Sequence, residues 1–171
     1  MTADFIHPCR LSPAELLAEV SKLPGRRGGP GGQHRNKTES AMQLCHLPTG
    51  VTAQASERRS QADNLRVALE RLRRALAIEV RSQTQAAAAP SDLWRDRVRT
   101  GQIVVSETHH DFATLLAEAL DVLADHEFQL PSTVEQLQVT SSQLIRFLKR
   151  EPRAWQLVQS ARARRGLPEL S

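Results

Sequence analysis

Tyrosine is absent, and the 171 residues hold only two Trp, four Phe and two Cys. With aromatics at 4%, the interior has to be filled by aliphatic side chains, which a hydrophobic content of 40% allows. Cys9 and Cys45 are too few for a disulfide scaffold and fit a reducing compartment. No apolar run approaches the roughly 20 residues of a membrane span, and the start MTADFIHPCR has no signal-peptide core. These absences predict a cytoplasmic protein with no membrane partner. Cations are missing over residues 101–145, which carry no Lys or Arg against 7 Asp+Glu.

What is present is distributed just as unevenly. Residues 1–90 hold 13 Lys+Arg against 8 Asp+Glu, net +5, and residues 146–165 hold 7 against 1, net +6, so the formal charge of +4 hides two basic ends around an acidic middle. That pattern predicts contact with a polyanion at two places. The length suffices for one domain or two small ones, and a first part of about 90 residues buries only a modest core.

Glycine is concentrated even more sharply than charge. Five of the eight glycines fall within residues 25–37, GRRGGPGGQHRNK. Gly28, Gly29, Gly31 and Gly32 lack a Cβ, so main-chain N–H groups there can approach a ligand that side chains would hold away. Arg26, Arg27, Arg35 and Lys37 bracket the stretch with charge suited to phosphate, and Gln33, His34 and Asn36 add neutral polar groups. A phosphate cradle of the P-loop kind is excluded, because no G-x-x-x-x-G-K-S/T is present. A flexible solvated turn is the plainer alternative.

The longer run GGPGGQHRNKTESA over residues 28–41 resembles the signature of the catalytic domain of class I peptide chain release factors and their stand-alone ribosome-rescue relatives. The likeness continues through His46-Leu47-Pro48-Thr49-Gly50-Val51 and through Arg59-Ser60-Gln61 with Asn64, covering residues 12–80. Arg35 departs from the family, many of whose members carry an apolar residue there. The resemblance implies hydrolysis of the ester between nascent peptide and the terminal adenosine of tRNA, inside the ribosome's peptidyl transferase centre. Gln33 would stabilise the oxyanion through its backbone N–H and position water with its side chain. Gly31 and Gly32 would supply the backbone conformation, making the three the expected catalytic residues. His34, Asn36, Lys37, Arg59, Ser60, Gln61 and Asn64 would order the loop or contact rRNA and tRNA; Arg26, Arg27 and Arg35 join them from charge alone. The implied partners are the ribosome and peptidyl-tRNA, with Gln33 a candidate for a glutamine methyltransferase. A monomer with no metal and no cofactor is expected.

Local signals predict an α+β class: a small sheet with a covering helix, then a small all-α bundle. Ser12-Pro13-Ala14-Glu15 is a capping box opening a short helix. Residues 20–23 read as a strand into the loop, 37–40 as one helical turn, 41–47 and 51–55 as a hairpin, and 60–81 as a helix burying Leu65, Ala68, Leu69, Leu72 and Leu76. Residues 83–90 either extend that helix or form a linker. The expected division is a catalytic domain over 1–90, a connector over 91–106 that packs back on it, and a helical domain over 107–171. In the last, 112–126 is amphipathic, Ser132 to Glu135 reads as a second capping box, Thr140 caps a further helix, and Pro152 opens the final one, which Gly166 stops. Short helix, tight turn and second helix suggest a helix-turn-helix that lacks the usual glycine. Phe112, Leu116, Leu137, Leu144, Phe147 and Trp155 are the expected core.

Arg146, Lys149, Arg150, Arg153, Arg162, Arg164 and Arg165 form the expected small-subunit contact of this bundle, with a stability or docking module as the alternative. Few residues precede Gln33 and nothing resembles a codon-reading motif, so codon-independent rescue of stalled ribosomes is the expected role. A non-catalytic ribosome- or RNA-binding regulator is the alternative, and a DNA-binding regulator a weaker one. His7, Cys9, Cys45 and His46 match no standard zinc spacing, and His109-His110-Asp111 reads as surface residues at a helix start.

Overall fold

The computed structural model describes residues 6–25, 40–82 and 89–171. They form two compact units, Ile6–Val80 and Arg81–Ser171, and the fold is α+β.

In the first unit the capping box forms. Ser12 Oγ accepts from the Glu15 N–H at 3.3 Å, and the Glu15 carboxylate accepts from the Ser12 N–H at 2.8 Å. Ser12, through its hydroxyl first and its N–H second, holds the Glu15 carboxyl below the usual carboxylate range. Helix α1, Pro13–Ala18, follows and buries Leu16. Three antiparallel strands come next, β1 (Val20–Gly25), β2 (Ala41–His46) and β3 (Thr52–Ala55), in the order β1-β2-β3. Period-two alternation buries Met42, Leu44 and His46 on one face of β2. Helix α2, Gln61–Glu79, covers that face with Ala68, Leu72, Ala75 and Leu76, a stripe at helical spacing. Each leucine so buried contributes about 1.5–3 kcal/mol.

The preceding residues are strapped to α2. The Cys9 thiol donates to the Arg73 carbonyl at 3.2 Å, the Arg73 guanidinium donates to the carbonyls of Cys9 and Leu11, and the His7 ring contacts the Val80 carbonyl at 3.1 Å. Burial in this strap pulls the pKa of Arg73 down from its ordinary value. Arg81, expected on α2, lies beyond its end and belongs to the second unit, where it pairs with Asp121 at 2.7 Å.

Residues 91–106 build into the helical unit and form no simple connector. Helix α3 (Asp92–Arg97) leads into a hairpin of β4 (Val98–Arg99) and β5 (Gln102–Ile103). The physical reason is Trp94, which is fully buried, donates its indole N–H to the Leu137 carbonyl at 2.8 Å and meets Phe147 edge-on at 6.2 Å. Phe147 also packs on Phe112 at 5.3 Å. Helices α4 (Asp111–Asp125), α5 (Leu130–Leu137), α6 (Ser141–Lys149) and α7 (Pro152–Ala163) complete this unit. Trp155, expected in the core, is only half-buried; Ala154 takes the inward position on α7.

The expected capping box at Ser132 does not form. α5 starts at Leu130 with Pro131 in its first turn, where a missing N–H costs nothing, and the Ser132 hydroxyl donates back to the Gln129 carbonyl at 3.3 Å. Thr140 does cap α6, accepting from the Gln143 N–H.

Three helices end in the same device, a left-handed residue whose N–H and whose successor's N–H bond back to the last-turn carbonyls. After α4, Glu127 (φ 51) donates to Ala124 and Phe128 to Leu123; after α5, Gln138 (φ 55) donates to Glu135 and Val139 to Val134; after α7, Gly166 (φ 68) donates to Ala163 and Leu167 to Arg162. Only the last uses glycine. Gln138→Gly removes the Cβ penalty at φ 55 and is expected to raise the stability of the helical unit by up to about 1 kcal/mol, read as a higher urea midpoint at unchanged slope.

Candidate functional site

The residues expected to do chemistry, Gly31, Gly32 and Gln33, lie outside the described residues, as do Arg26, Arg27, His34, Arg35, Asn36 and Lys37 and most of the expected helical turn over 37–40. The structure does describe the frame that carries them. β1 and β2 pair in register to their last residues, so Gly25 and Ala41 are Cα partners. Residues 26–40 therefore connect two neighbouring antiparallel strands, with both ends of the segment fixed in one ladder.

Asn64, on the first turns of α2, holds the returning end. Its side-chain amide donates to the Ser40 carbonyl at 2.5 Å and to the Arg58 carbonyl at 3.0 Å, and its Oδ1 accepts from the Arg58 N–H at 2.9 Å. Asn64 is fully buried and Ser40 nearly so. Of the two roles expected for Asn64, this geometry supports ordering the loop and leaves no surface for an RNA contact. A carboxamide suits the place because one planar group offers two donors and an acceptor without a charge.

Arg59, Ser60 and Gln61 are exposed beside this clamp. Ser60 is the N-cap of α2, accepting from the Asp63 N–H at 3.4 Å. The stretch before the helix is braced again by Arg71, which donates to the Gln54 carbonyl at 2.8 Å and pairs with Glu57 at 2.5 Å. The N–H of Ser56, first among several hydrogen bonds, holds the Glu57 carboxyl below the usual range, so this brace stays charged near neutrality. Sequence reasoning missed Arg58, an exposed cation whose backbone is clamped on both sides by Asn64. Its adjacency to Arg59 was the available signal.

Residues 15–111 match the RF-1 domain family. The chain belongs to that family. It is similar to peptide chain release factor 1 of Xylella fastidiosa (strain 9a5c), 42% identical over 87 residues, which are 51% of this chain and 23% of the relative. Against peptide chain release factor 1 of Symbiobacterium thermophilum the identity is 42% over 92 residues, 54% of this chain and 24% of the relative. Against that of Nitrosomonas eutropha it is 45% over 92 residues, 52% and 24%. The chain thus spans about a quarter of the length of these release factors. The RF-1 domain match takes in the 26–40 segment, the Asn64 clamp and the start of the helical unit, ending at the first residue of α4.

Beyond the RF-1 domain match, the seven expected contact cations separate by burial. Arg146, Lys149, Arg153, Arg164 and Arg165 are exposed; Arg150 is half-buried and donates to the Val105 carbonyl at 2.8 Å. Arg162 does not belong with them. It is 5% exposed and its guanidinium donates to the Phe128 carbonyl at 2.5 Å and to the Pro168 carbonyl at 3.1 and 2.9 Å. It ties the residues after α7 to the corner before α5, a structural task. Arg165 donates to the Ala161 carbonyl at 3.0 Å and lies 4.8 Å from the Phe128 ring centroid.

The histidine side chains of both clusters have partners within the protein. His109, His110 and Asp111 are close enough to share an ion. Arg97 contacts Asp111 Oδ2 at 2.7 Å and His109 Nε2 at 3.1 Å, so two of the three groups already have a cationic neighbour. His46 bridges Glu19 (2.9 Å) and Thr49 (2.7 Å), while the His7 ring accepts from the Cys9 N–H and reaches the Val80 carbonyl, so both rings have other partners.

Asn64→Ala leaves two carbonyls and an N–H without their partner and is expected to cost roughly 2–4 kcal/mol, with faster amide exchange at Ser40 and Arg58. Arg162→Ala is expected to cost about 3 kcal/mol, whereas Arg146→Ala stays within about 0.5 kcal/mol; comparable losses in chemical denaturation would contradict the assignment of Arg162 to the interior.

Proposed function

We propose that this chain hydrolyses the ester of peptidyl-tRNA in the ribosome without reading a codon, releasing peptides from stalled complexes. The observation that carries the reading is the Gly31-Gly32-Gln33 triplet, standing inside the RF-1 domain match on a segment whose two ends are strand partners. The chain's relatives are named peptide chain release factors.

In this reading, water attacks the ester carbonyl, the Gln33 backbone N–H donates to the oxyanion that develops, and the carbonyl's bond to the tRNA ribose oxygen then breaks, that oxygen leaving as a hydroxyl with a proton from the attacking water. A preorganised donor of this kind changes rate by about 10²–10³. Gly31 and Gly32 allow the backbone to come that close. The Gln33 side chain positions the water and disfavours larger nucleophiles, and no side chain acts as general base. Arg26, Arg27, His34, Arg35, Asn36, Lys37, Arg59 and Gln61 engage rRNA or tRNA around the loop, and Asn64 acts from the interior by holding Ser40. A methyltransferase acting on Gln33 fits the same position. The unit Ile6–Val80 holds the loop's frame, and Arg81–Ser171, largely beyond the RF-1 domain match, recognises the stalled state through its exposed cations.

The test is single-turnover peptide release from purified ribosomes carrying peptidyl-tRNA, with truncated mRNA, a sense codon or a stop codon in the decoding site. Wild type is expected to release on the truncated complex, and Gly32→Ala to lose at least about 100-fold in rate. Binding without release on every complex would replace this reading with a non-catalytic regulator. Release confined to the stop codon would remove codon independence alone.

A further inference from the structure

The corner between α6 and α7 combines three features that the hydrolytic step itself does not use. From residue 139 to 168 the only carboxylate is Glu151, and it is buried. Arg146 and Lys149 are exposed on the last turns of α6, and Arg153 is exposed on the first turn of α7. Trp155, two residues after Arg153 on α7, stays half-buried, with the Lys149 ammonium 5.0 Å from its ring centroid. Arg150 fixes the corner by its bond to the Val105 carbonyl. The same unit exposes Asp125, Glu127 and Glu135 around α4 and α5, so its charge is segregated and not merely positive.

We propose that this corner binds an unpaired stretch of RNA, with phosphates on Arg146, Lys149 and Arg153 and one base stacked on the Trp155 indole. An indole beside cations suits a base and its phosphates, since every base has a π-face and the strand brings regularly spaced charge. The Lys149 ammonium leaves the ring for a phosphate as the base arrives, exchanging one cation contact for another. A protein partner held by apolar burial finds little here: the exposed large apolar residues among the described ones are Ile6, Leu23, Leu47 and Val104, none of them on α6 or α7. Duplex DNA read by a helix-turn-helix meets the start of the second helix. That part of α6 exposes uncharged Ser141 and Ser142, while the cations sit at the opposite end. That the RNA is ribosomal rests on the proposed function; the binding face does not.

The experiment measures binding of the full chain to a single-stranded RNA of about 12 nucleotides and to a DNA duplex, across a salt series. Arg146→Glu/Lys149→Glu/Arg153→Glu is expected to weaken RNA binding at least tenfold and to lower the slope of log affinity against log salt by roughly 2. RNA should also alter the protein's fluorescence through Trp155, since Trp94 is wholly buried; that change should vanish in Trp155→Phe. Wild-type affinity and slope in the triple variant, tighter binding of the DNA duplex, or a fluorescence change that survives Trp155→Phe would each overturn the proposal. If the charge reversals unfold the chain, glutamine at the same three positions carries the test. Absence of peptide release by the wild type, with its RNA binding intact, would count against the proposed function and leave this face standing.

Discussion

The described part of the first unit depends on one buried carboxamide. Asn64 satisfies the Ser40 carbonyl and both backbone groups of Arg58, so it joins the end of the 26–40 segment, the stretch before α2 and α2 itself. Losing a partner in such a place leaves polar groups stranded away from water, and that penalty, more than the net worth of each bond, makes the arrangement rigid. Under the proposed function the 26–40 segment presents a backbone N–H to a reacting carbonyl, a task that calls for a fixed frame. Gly25 and Ala41 in register supply one side of it and Asn64 the other.

The helical unit follows a different logic. Its interior is organised by Phe147, placed between Trp94 and Phe112, so three aromatics from α3, α4 and α6 meet in a chain with few rings to spend. Its charges divide by task. Arg81 and Arg162 are drawn inward to satisfy Asp121 and several backbone carbonyls. Arg146, Lys149 and Arg153 remain at the surface. Arg162 and the three exposed cations belong to one basic run, residues 146–165, so net charge could not separate them.

Much of the fold was legible because its signals are local. The capping box at Ser12, the alternation in β2, the stripe on α2 and the glycine stop after α7 each follow from residues within a turn or two of one another. Sequence reasoning failed where the deciding partner was remote or the usual residue was absent. Glu127 and Gln138 adopt the left-handed cap that glycine normally marks. Ser132 copied the pattern of a cap yet lies inside a helix already begun at Leu130. Residues 91–106 looked like a connector because the Trp94 contacts, Leu137 and Phe147, are more than forty residues away.

By itself the sequence determined the family resemblance, the Gly31-Gly32-Gln33 triplet and the α+β order of elements, since these are carried by residue identity and short-range spacing. Only the tertiary structure decided what individual polar side chains do. It turned Asn64 from a possible RNA contact into an internal clamp, Arg162 from a surface cation into a buried tie, and Trp155 from a core residue into a half-buried one. The physical reason is that burial and hydrogen-bond satisfaction depend on groups brought together across the chain, and no window of sequence contains both partners.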